Sequence, residues 1–453
     1  MSYLDLCVKA VDEGLKLNVS EIEATLIFTR SINAEVERGQ IKGCNSVIDK
    51  GIGIRAIING QIGFAYTNTL NEESVLRAVK EAIKAAKANL KDEKWTSLPE
   101  PRKYPSIEKV YDEKIVSLPA EKTVELSQET IIAAVEYSRN VIPAFGGTSI
   151  NIMHHATVNS QGIEVEDKAT LIQCYLATIA RKGNIVSPIC YEFSASRMYE
   201  VDPKEIGRKV AELAVKATEI GKAEEGKFTV VFDPIALSSI LTFTFGQAIK
   251  GDMVQRGRSP YQNKIGTQVA SPNISFYDNG ILPGGLFSSI CDLEGVPRQN
   301  TPIIVDGVLK GFIYDNYWAK IVGVESTGNA WRGGAGLMLP PYATLPYIEL
   351  SNVVLQAKNI IEREIIREVK NGYYVRDVQG AHQSNPETGE FSVAAVPCWR
   401  IIDGEIKYAV KGVMLAGNIY ELMNKIVLVG DKPRQVNNFI LPKVAISDVQ
   451  VVL

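Results

Sequence analysis

Apolar residues recur at helical spacing near the start of the chain, and similar stripes return three more times before residue 225. The first stripe consists of Leu4, Val8, Val11 and Leu15. This spacing predicts an amphipathic helix over the first ~20 residues. Asn71 and the two glutamates after it predict the start of a second helix, because such residues cap and charge a helix N-terminus favourably. Two further helices are predicted over 120–139 and 203–220.

The segments between these helices alternate apolar and polar residues, a pattern typical of strands. Residues 21–67 contain six glycines and predict a meander of short antiparallel strands, with Asn59-Gly60 as the best hairpin signal. Further strands are predicted near 148–158 and 169–180. The order helix, strands, helix therefore occurs twice.

Two breaks in this pattern predict the domain organisation. The proline-rich run at 95–119 indicates a surface connector or wrapping arm, and a charged, glycine-flanked segment at 221–226 precedes a new strand. We therefore predict an α+β protein with an N-terminal α/β domain over 1–225, divided further near 95–119, and a β-rich domain over 226–453. Helices in the second domain are predicted only around 235–249, 316–322, 355–371 and 418–425.

Composition narrows the class of protein. The 453 residues are 45% hydrophobic and 22% charged, which is typical of a folded protein of two or three compact units. A net charge of -3 and a pI near 5.9 disfavour nucleic acid as the main ligand. We expect no secretory signal and no membrane span of ~18 apolar residues. The six cysteines stand singly, which predicts reduced, buried thiols in a cytoplasmic protein.

Local motifs for common chemistries are missing from the sequence. It contains no P-loop, no dinucleotide-binding glycine motif and no nucleophile elbow. Of the three histidines, His154 and His155 are adjacent in a predicted strand, so their side chains are expected on opposite faces and a shared metal is disfavoured. His382 lies in a predicted loop, where solvation is the commoner role.

Charged and glycine-rich loops supply the remaining candidates. Asp292, Glu294 and Asp306 lie beside glycines and are more typical of turns than of acid–base pairs. The loops at 326–330 and 333–336 are predicted to be flexible and to expose backbone that an extended peptide can approach. Composition and spacing alone therefore assign no activity.

Nine phrases change this picture, because together they resemble the TldD/PmbA family, also labelled modulator of DNA gyrase. They occur in that family's order and rough spacing over nearly the whole chain. The phrases are KGIGIRA (50–56), GQIGFAYT (60–67), QVASP (268–272), LPGGL (282–286), DLEGVP (292–297), DGVL (306–309), TGNA (327–330), TGEFS (388–392) and VMLAGN (413–418).

The resemblance implies a metallopeptidase-type architecture, with an α/β N-terminal half and a mostly β C-terminal half. It also implies dimers in which a narrow channel leads peptides to a zinc site. One branch of the family carries His-Glu-x-x-x-His on a helix, with a later cysteine as third zinc ligand and the glutamate as general base. The PmbA branch, also called TldE, lacks these residues.

The shared Gly251-Asp252 pair aligns this chain with that zinc-binding helix. The alignment places Thr242 at the first histidine, Phe243 at the glutamate and Gln247 at the second histidine. None of the three is a competent zinc ligand or general base. No cysteine follows Cys398, and the last 55 residues contain no histidine. The resemblance therefore implies the PmbA/TldE branch, a packing role for helix 235–249, and no catalytic or metal-binding residue in this chain.

The implied function is that of a subunit rather than of a peptidase active alone. The resemblance implies that it pairs with a TldD-like chain that supplies zinc, or with a second copy of itself, and that the complex processes small or unfolded peptides. We predict that Gly284, Gly285, Thr327, Gly328 and Asn329 form substrate-binding walls of the channel. No membrane or nucleic-acid partner and no cofactor in this chain are expected.

Two alternative hypotheses stay open. The first is a free-standing peptidase with a non-standard site, for example His382 acting with Asp292 or Glu294. The second is a protein-binding modulator of the gyrase-modulator type.

Overall fold

The N-terminal half contains two sets of helices around long antiparallel strands. The structure, a computed structural model, describes residues 2–333, 339–358, 360–361 and 364–453. The N-terminal elements are α1 (Tyr3–Lys16), β1 (Glu21–Glu37), β2 (Gln40–Ile58), β3 (Gln61–Thr67), α2 (Glu72–Ala88), α3 (Glu113–Val116), α4 (Ala120–Tyr137), β4 (Val141–Asn159), β5 (Glu164–Lys182), β6 (Ile185–Val186), β7 (Cys190–Ser196) and α5 (Pro203–Lys216).

These strands form one seven-stranded sheet in the order β3-β2-β1-β4-β5, with β6 and β7 both paired to β5. Successive side chains of β1 point to opposite faces of the sheet, as in any pleated strand. Ile22, Ala24 and Leu26 pack with α1 and α2, and Ile32 packs with α3 and α4. Glu23 and Ile27 point the other way, towards loops of the C-terminal half. One face of the sheet therefore carries helices and the other meets the second half of the chain.

The predicted meander has the right order but the wrong strand length. β1 and β2 run for 17 and 19 residues because several of the glycines lie inside the paired strands instead of in turns. A Cβ atom at Gly51 or Gly53 would stand 2.4–2.5 Å from atoms of Tyr342, so these glycines make room for a neighbouring segment. The hairpin at Asn59-Gly60 is confirmed, and both residues have positive φ, 50° and 83°.

The proline-rich segment is a wrapping arm that touches both halves. Leu98 is fully buried, and the Trp95 indole N–H donates to Glu21 Oε2 at 2.9 Å. Further along, the Tyr104 hydroxyl donates to the Gly295 carbonyl at 3.0 Å. These contacts hold the segment along the surface, where it has no helix or strand before α3.

The C-terminal half is dominated by strands. Its elements are β8 (Gly226–Phe232), α6 (Pro234–Phe243), α7 (Phe245–Ala248), α8 (Gly251–Gln255), β9 (Ile274–Asn279), β10 (Asn300–Val305), β11 (Val308–Leu309), α9 (Asn316–Val322), β12 (Ala330–Trp331), β13 (Tyr347–Ile348), β14 (Val353–Ala357), β15 (Ile360–Ile361), α10 (Ile365–Glu368), β16 (Asn371–Val375), β17 (Val378–Gln379), β18 (Glu390–Ala395), β19 (Cys398–Ile402), β20 (Glu405–Val410), β21 (Met414–Asn418), α11 (Ile419–Leu422), β22 (Ile426–Gly430), β23 (Arg434–Val436), β24 (Phe439–Leu441) and β25 (Val444–Val452). Short 3₁₀ turns occupy Pro341–Ala343, Ala381–Gln383 and Met423–Lys425.

A ten-stranded and a six-stranded sheet share the main core of this half. The larger sheet runs β17-β18-β21-β25-β8-β16-β19-β20, with β22 beside β25 and β15 beside β22. The smaller runs β11-β10-β9-β14-β24-β23, and β12 pairs with β13 separately. The most extensive hydrophobic cluster joins both sheets to α6 and α7. None of the described helices is both long and apolar enough to cross a lipid bilayer.

Two helix predictions in this half need correction, and α8 lies outside all four predicted ranges. The predicted helix 235–249 is divided at Thr244, whose φ of -125° and ψ of -92° are not helical, into α6 and α7. The predicted helix 355–371 is wrong, because the described part of this range consists of the end of β14, then β15, α10 and the start of β16. Residues 359 and 362–363 lie outside the described residues. Short apolar runs rich in Ile and Val fit either structure locally, and here pairing of β14 with β9 and β24 decides for strand.

Candidate functional site

The helix position that carries zinc ligands in one branch of the family is occupied here by groups engaged elsewhere. On α6, the Thr242 hydroxyl donates to the Ser238 carbonyl at 2.7 Å, and the Gln247 amide donates to the Thr242 carbonyl at 3.0 Å. The Phe243 ring is 39% exposed and lies edge-on to the His382 ring, with centroids 6.4 Å apart. A phenyl ring, a hydroxyl and an amide do not suit Zn²⁺, which prefers thiolate, imidazole and carboxylate. The residues at this position therefore do not fit the metal.

The two adjacent histidines lie on opposite faces of β4, as the alternation predicts. His154 Nε2 is 3.0 Å from Glu166 Oε2, and its ring packs 5.2 Å from that of Tyr3. His155 Nε2 is 3.4 Å from Cys291 Sγ, on the side of the C-terminal half. Burial lowers the pKa of both imidazoles. Within the described ranges, no group of three or more His, Cys, Asp or Glu side chains is arranged to hold a metal ion.

Asp292 organises a buried turn. Its Oδ1 accepts the N–H groups of Glu294 and Val296, both at 2.9 Å, and its Oδ2 accepts that of Ala330 at 2.9 Å. Burial, together with the nearby charge of Glu294, raises the pKa of Asp292 to about 7. The turn prediction holds for Asp292, and also for Asp306, which pairs at the surface with Lys358 at 2.8 Å.

Glu294 lies in the same turn and also belongs to a buried ion network between the two halves of the chain. Arg55 on β2 donates to Glu23 at 2.7 Å and to Glu294 at 2.8 Å. Arg332 also donates to Glu23, and all four side chains are at most 5% exposed. The second oxygen of Glu294 accepts the N–H of Asn316 at 3.0 Å. We call these residues, Glu23, Arg55, Glu294 and Arg332, the junction network. Sequence reasoning missed it, although charged residues inside the apolar phrases KGIGIRA and DLEGVP were the available signal.

The predicted wall residues 327–329 are buried, so the expectation of exposed backbone at 326–330 is wrong. The Thr327 hydroxyl donates to Asn329 Oδ1 at 2.6 Å, and the Asn329 amide donates to Asp278 at 3.2 Å. Gly328 has φ of +73°, and a Cβ there would stand 2.5 Å from the Pro297 carbonyl. Of the second predicted loop, residues 334–336 lie outside the described residues. The role of Thr327, Gly328 and Asn329 in substrate binding stays a prediction.

Gly284 and Gly285 form a turn next to a cavity. The Gly284 N–H donates to the Glu108 carbonyl of the wrapping arm at 3.2 Å. A Cβ at Gly285 would meet Ser288 Oγ at 2.5 Å. The following residues, Leu286 to Ser289, line a cavity of about 320 Å³ between β4, β5 and β7 on one side and C-terminal loops on the other. We call it the interdomain cavity. Pro297, which packs against Gly328, immediately precedes Arg298 in its wall, so both predicted wall segments lie near the cavity.

Comparison with known proteins agrees with this architecture. Three family models match the chain: PmbA/TldA metallopeptidase domain 1 over residues 23–86, the central domain over 113–218 and the C-terminal domain over 225–453. They define a metallopeptidase-type protein. The chain belongs to the PmbA/TldD family.

Relatives of this chain are found in archaea. It is 31% identical to an uncharacterised protein of Methanocaldococcus jannaschii, over 93% of this chain and 95% of that protein. It is 26% identical to a protein named metalloprotease from Methanothermobacter thermautotrophicus, over 92% and 88% of the two chains. The crystal structure of TldE from Thermococcus kodakarensis superposes with a TM-score of 0.92 at 31% identity, covering 99% and 100%.

Proposed function

We propose that this chain is a PmbA/TldE-like subunit of a peptidase complex, in which a TldD-like partner supplies the zinc. The observation that carries the proposal is the identity and bonding of the residues at the zinc-ligand positions on α6 and α7. Thr242 and Gln247 are bonded to backbone carbonyls, and Phe243 presents a carbon ring where a general base is needed. A phenyl ring accepts no proton, so the hydrolytic step has no base at this position. The likeness to a solved TldE supports the same assignment.

The free-standing alternative finds less support in the structure. His382 packs against Phe243, whereas the oxygens of Asp292 and Glu294 accept hydrogen bonds from their own turn, from Arg55 and from Asn316. A catalytic pair needs its base within hydrogen-bond reach of the group that it activates. We therefore favour the subunit hypothesis.

An exposed apolar patch offers a surface for the partner. α4 buries one side against the sheet, but Ile132 and Val135, one turn apart on it, are 53% and 42% exposed. We call these two residues, together with Tyr137 at the end of the helix, the α4 patch. Neighbouring exposed apolar groups on a folded protein can mark an interaction site. We assign this patch to contact with a TldD-like subunit or with a second copy of the chain.

An unpaired strand edge offers a place for extended peptide. β3 pairs with β2 only from Ile52 onward, so the outer edge of residues 40–51 carries no strand among the described residues. Val47 and Ile48 on this edge are more than half exposed. Such an edge accepts an additional strand through backbone hydrogen bonds, with pockets for alternate side chains giving specificity. We propose that small or unfolded peptides of the complex are held in this way.

Cysteine chemistry supports a reducing compartment. All six cysteines carry free thiols. Five are buried, as predicted, whereas Cys44 is exposed. Free thiols are typical of proteins in the cytosol, where disulfides are rare. We propose that the complex is cytoplasmic.

Co-expression with a zinc-bearing family member from the same genome tests the proposal. We expect the two chains to purify together and to hydrolyse short or unfolded peptides in a chelator-sensitive manner. Val135→Asp, in the α4 patch, is expected to abolish co-purification and activity. Ile406→Asp, at an exposed apolar residue of β20, is the matched control and should leave both intact. Unchanged assembly with Val135→Asp would exclude the patch, and full activity of the chain alone would exclude the subunit role.

A further inference from the structure

Two buried arginines line the interdomain cavity without carboxylate partners. Arg197 lies just after β7 and Arg298 just before β10, and each is only 5% exposed. Neither forms an ion pair with any described residue. Buried charged groups in proteins are normally paired, because removing a charge from water is costly. Two such groups in one cavity wall therefore need an explanation.

Arg197 uses only part of its guanidinium. Its Nη2 donates to the carbonyl of Leu286 and, at 3.4 Å, to that of Ser288, and its Nε donates to the Gly285 carbonyl at 3.4 Å. These bonds hold the loop that follows Gly284. Its Nη1 is buried and has no hydrogen-bond partner. The group is fixed in place and retains one free donor.

The guanidinium of Arg298 has more unpartnered donors than that of Arg197. Its side-chain stem packs over Gly280, where a Cβ atom would come within 2.9 Å of it. Both Nε and Nη1 are buried without a hydrogen-bond partner. Each of them can donate a hydrogen bond to an acceptor such as a carboxylate oxygen. A rigid stem and two free donors make Arg298 the stronger anchor of the two.

Asp167 is the one carboxylate among the described residues of the cavity wall, and it is already engaged. Asp167 Oδ2 accepts from the Ser289 hydroxyl at 2.6 Å and from the Ile290 N–H at 3.0 Å. Burial lowers the pKa of Arg197 to about 10; the nearby charge of Asp167 counters this shift, and that of Arg298 adds to it. A further anion beside the two guanidiniums would add to the compensation that Asp167 gives and would supply acceptors for their free donors.

The rest of the wall is mainly apolar, but polar and basic side chains, among them Thr29, His155, Lys168 and Gln173, also line it. Met153, Leu171, Phe193, Phe287 and Trp331 line the same space. A volume of about 320 Å³ is at the lower end of the range for small-molecule sites. The lining combines a hydrophobic body with a few convergent polar groups, which is the common composition of a ligand pocket.

We propose that the interdomain cavity binds a small organic acid, with its carboxylate between Arg197 and Arg298 and its apolar body against the hydrophobic wall. This inference does not depend on the proposed function. Two sources share the required chemistry: the free C-terminus of a short apolar peptide and a medium-chain fatty acid.

Calorimetric titration of the full chain with four probes tests the site. N-acetyl-Leu-Leu and octanoate are the two acids, and N-acetyl-Leu-Leu-amide and octanamide are their uncharged counterparts. We expect at least one acid to bind and its amide to bind at least tenfold more weakly. Binding of the peptide acid alone identifies a C-terminus as the ligand, and binding of octanoate alone identifies a fatty acid.

Variants separate the site from general charge effects. Arg298→Gln is expected to weaken binding of the acid at least tenfold, Arg298→Lys less, and Arg208→Gln on the exposed side of α5 not at all. The comparison of acid with amide uses the unaltered protein, so it stands even where a variant folds poorly. Absence of binding by both acids at millimolar concentration, or equal binding of acids and amides, would overturn the proposal.

Discussion

Replacing Glu294 with glutamine removes one charge from the junction network while keeping the shape of the side chain. In the native network, Arg55 is shared by Glu23 and Glu294, and Glu23 also binds Arg332. Two cations and two anions balance, and all four side chains are buried. The variant leaves two buried guanidiniums with the single carboxylate of Glu23. We therefore expect it to weaken the contact between the two halves of the chain.

The expected magnitude follows from the burial of all four groups. Breaking a buried ion pair by removing one partner costs about 3–5 kcal/mol, since the remaining charge is left without compensation. Removing both partners is far less costly, because no net charge stays behind. The double variant Arg55→Met with Glu294→Gln retains the neutral pair of Glu23 and Arg332. It should recover more than half of the stability that Glu294→Gln loses.

Urea denaturation followed by tryptophan fluorescence measures these differences, because the Arg55 guanidinium lies 5.5 Å from the ring of Trp95. Glu325→Gln is the matched control, since Glu325 pairs with Arg102 at 3.1 Å on the exposed surface. Exposed pairs contribute about 1 kcal/mol or less. If Glu294→Gln lowered the free energy of unfolding no more than Glu325→Gln does, or if the double variant were no more stable than Glu294→Gln, the reasoning would be refuted.

Two further predictions concern packing and pH. Gly53→Ala should destabilise the protein by about 1–3 kcal/mol, because its Cβ would overlap the Tyr342 carbonyl oxygen. Gly43→Ala on the same strand is the control, since its Cβ meets nothing and should be tolerated. Equal unfolding midpoints of the two variants would contradict this. Burial raises the pKa of Asp377 from 3.8 to about 6, so its neutral form stabilises the fold below pH 4 and this contribution is lost as the pH rises through 6. Asp377→Asn should flatten the decline in the unfolding midpoint between pH 4 and 7, and an unchanged profile would exclude this carboxyl as a cause.

Local patterns predicted the elements whose stability is local. α1, α2, α4 and α5 have apolar stripes and recognisable first turns, and all four begin within two residues of their predicted starts. The range 355–371 failed because its apolar residues carry no clear period, and its structure is decided by strands distant in sequence. The prediction of turns at Gly51 and Gly53 of β2 is wrong for a related reason, since these glycines allow the close approach of Tyr342, which is distant in sequence.

For the candidate sites too, the sequence shows the identities of the residues but not their distant contacts. The identities of Thr242, Phe243 and Gln247 are visible in the sequence, but the contact of Phe243 with His382 depends on how the 3₁₀ turn packs on α6. The link between Arg55 and Glu294 spans 239 residues. No local pattern predicts which distant charges meet. Arg55 and Glu294 both lie in sequence phrases shared with the family, but only the fold shows that they form an ion pair.

The zinc content of this chain, purified alone and in complex with a zinc-bearing family member, tests the central claim most directly. Elemental analysis is predicted to find no stoichiometric zinc in the single chain and zinc in the complex, with chelator-sensitive peptide hydrolysis by the complex alone. Stoichiometric zinc in the single chain, accompanied by peptide hydrolysis that a chelator abolishes, would contradict the assignment as a non-catalytic subunit.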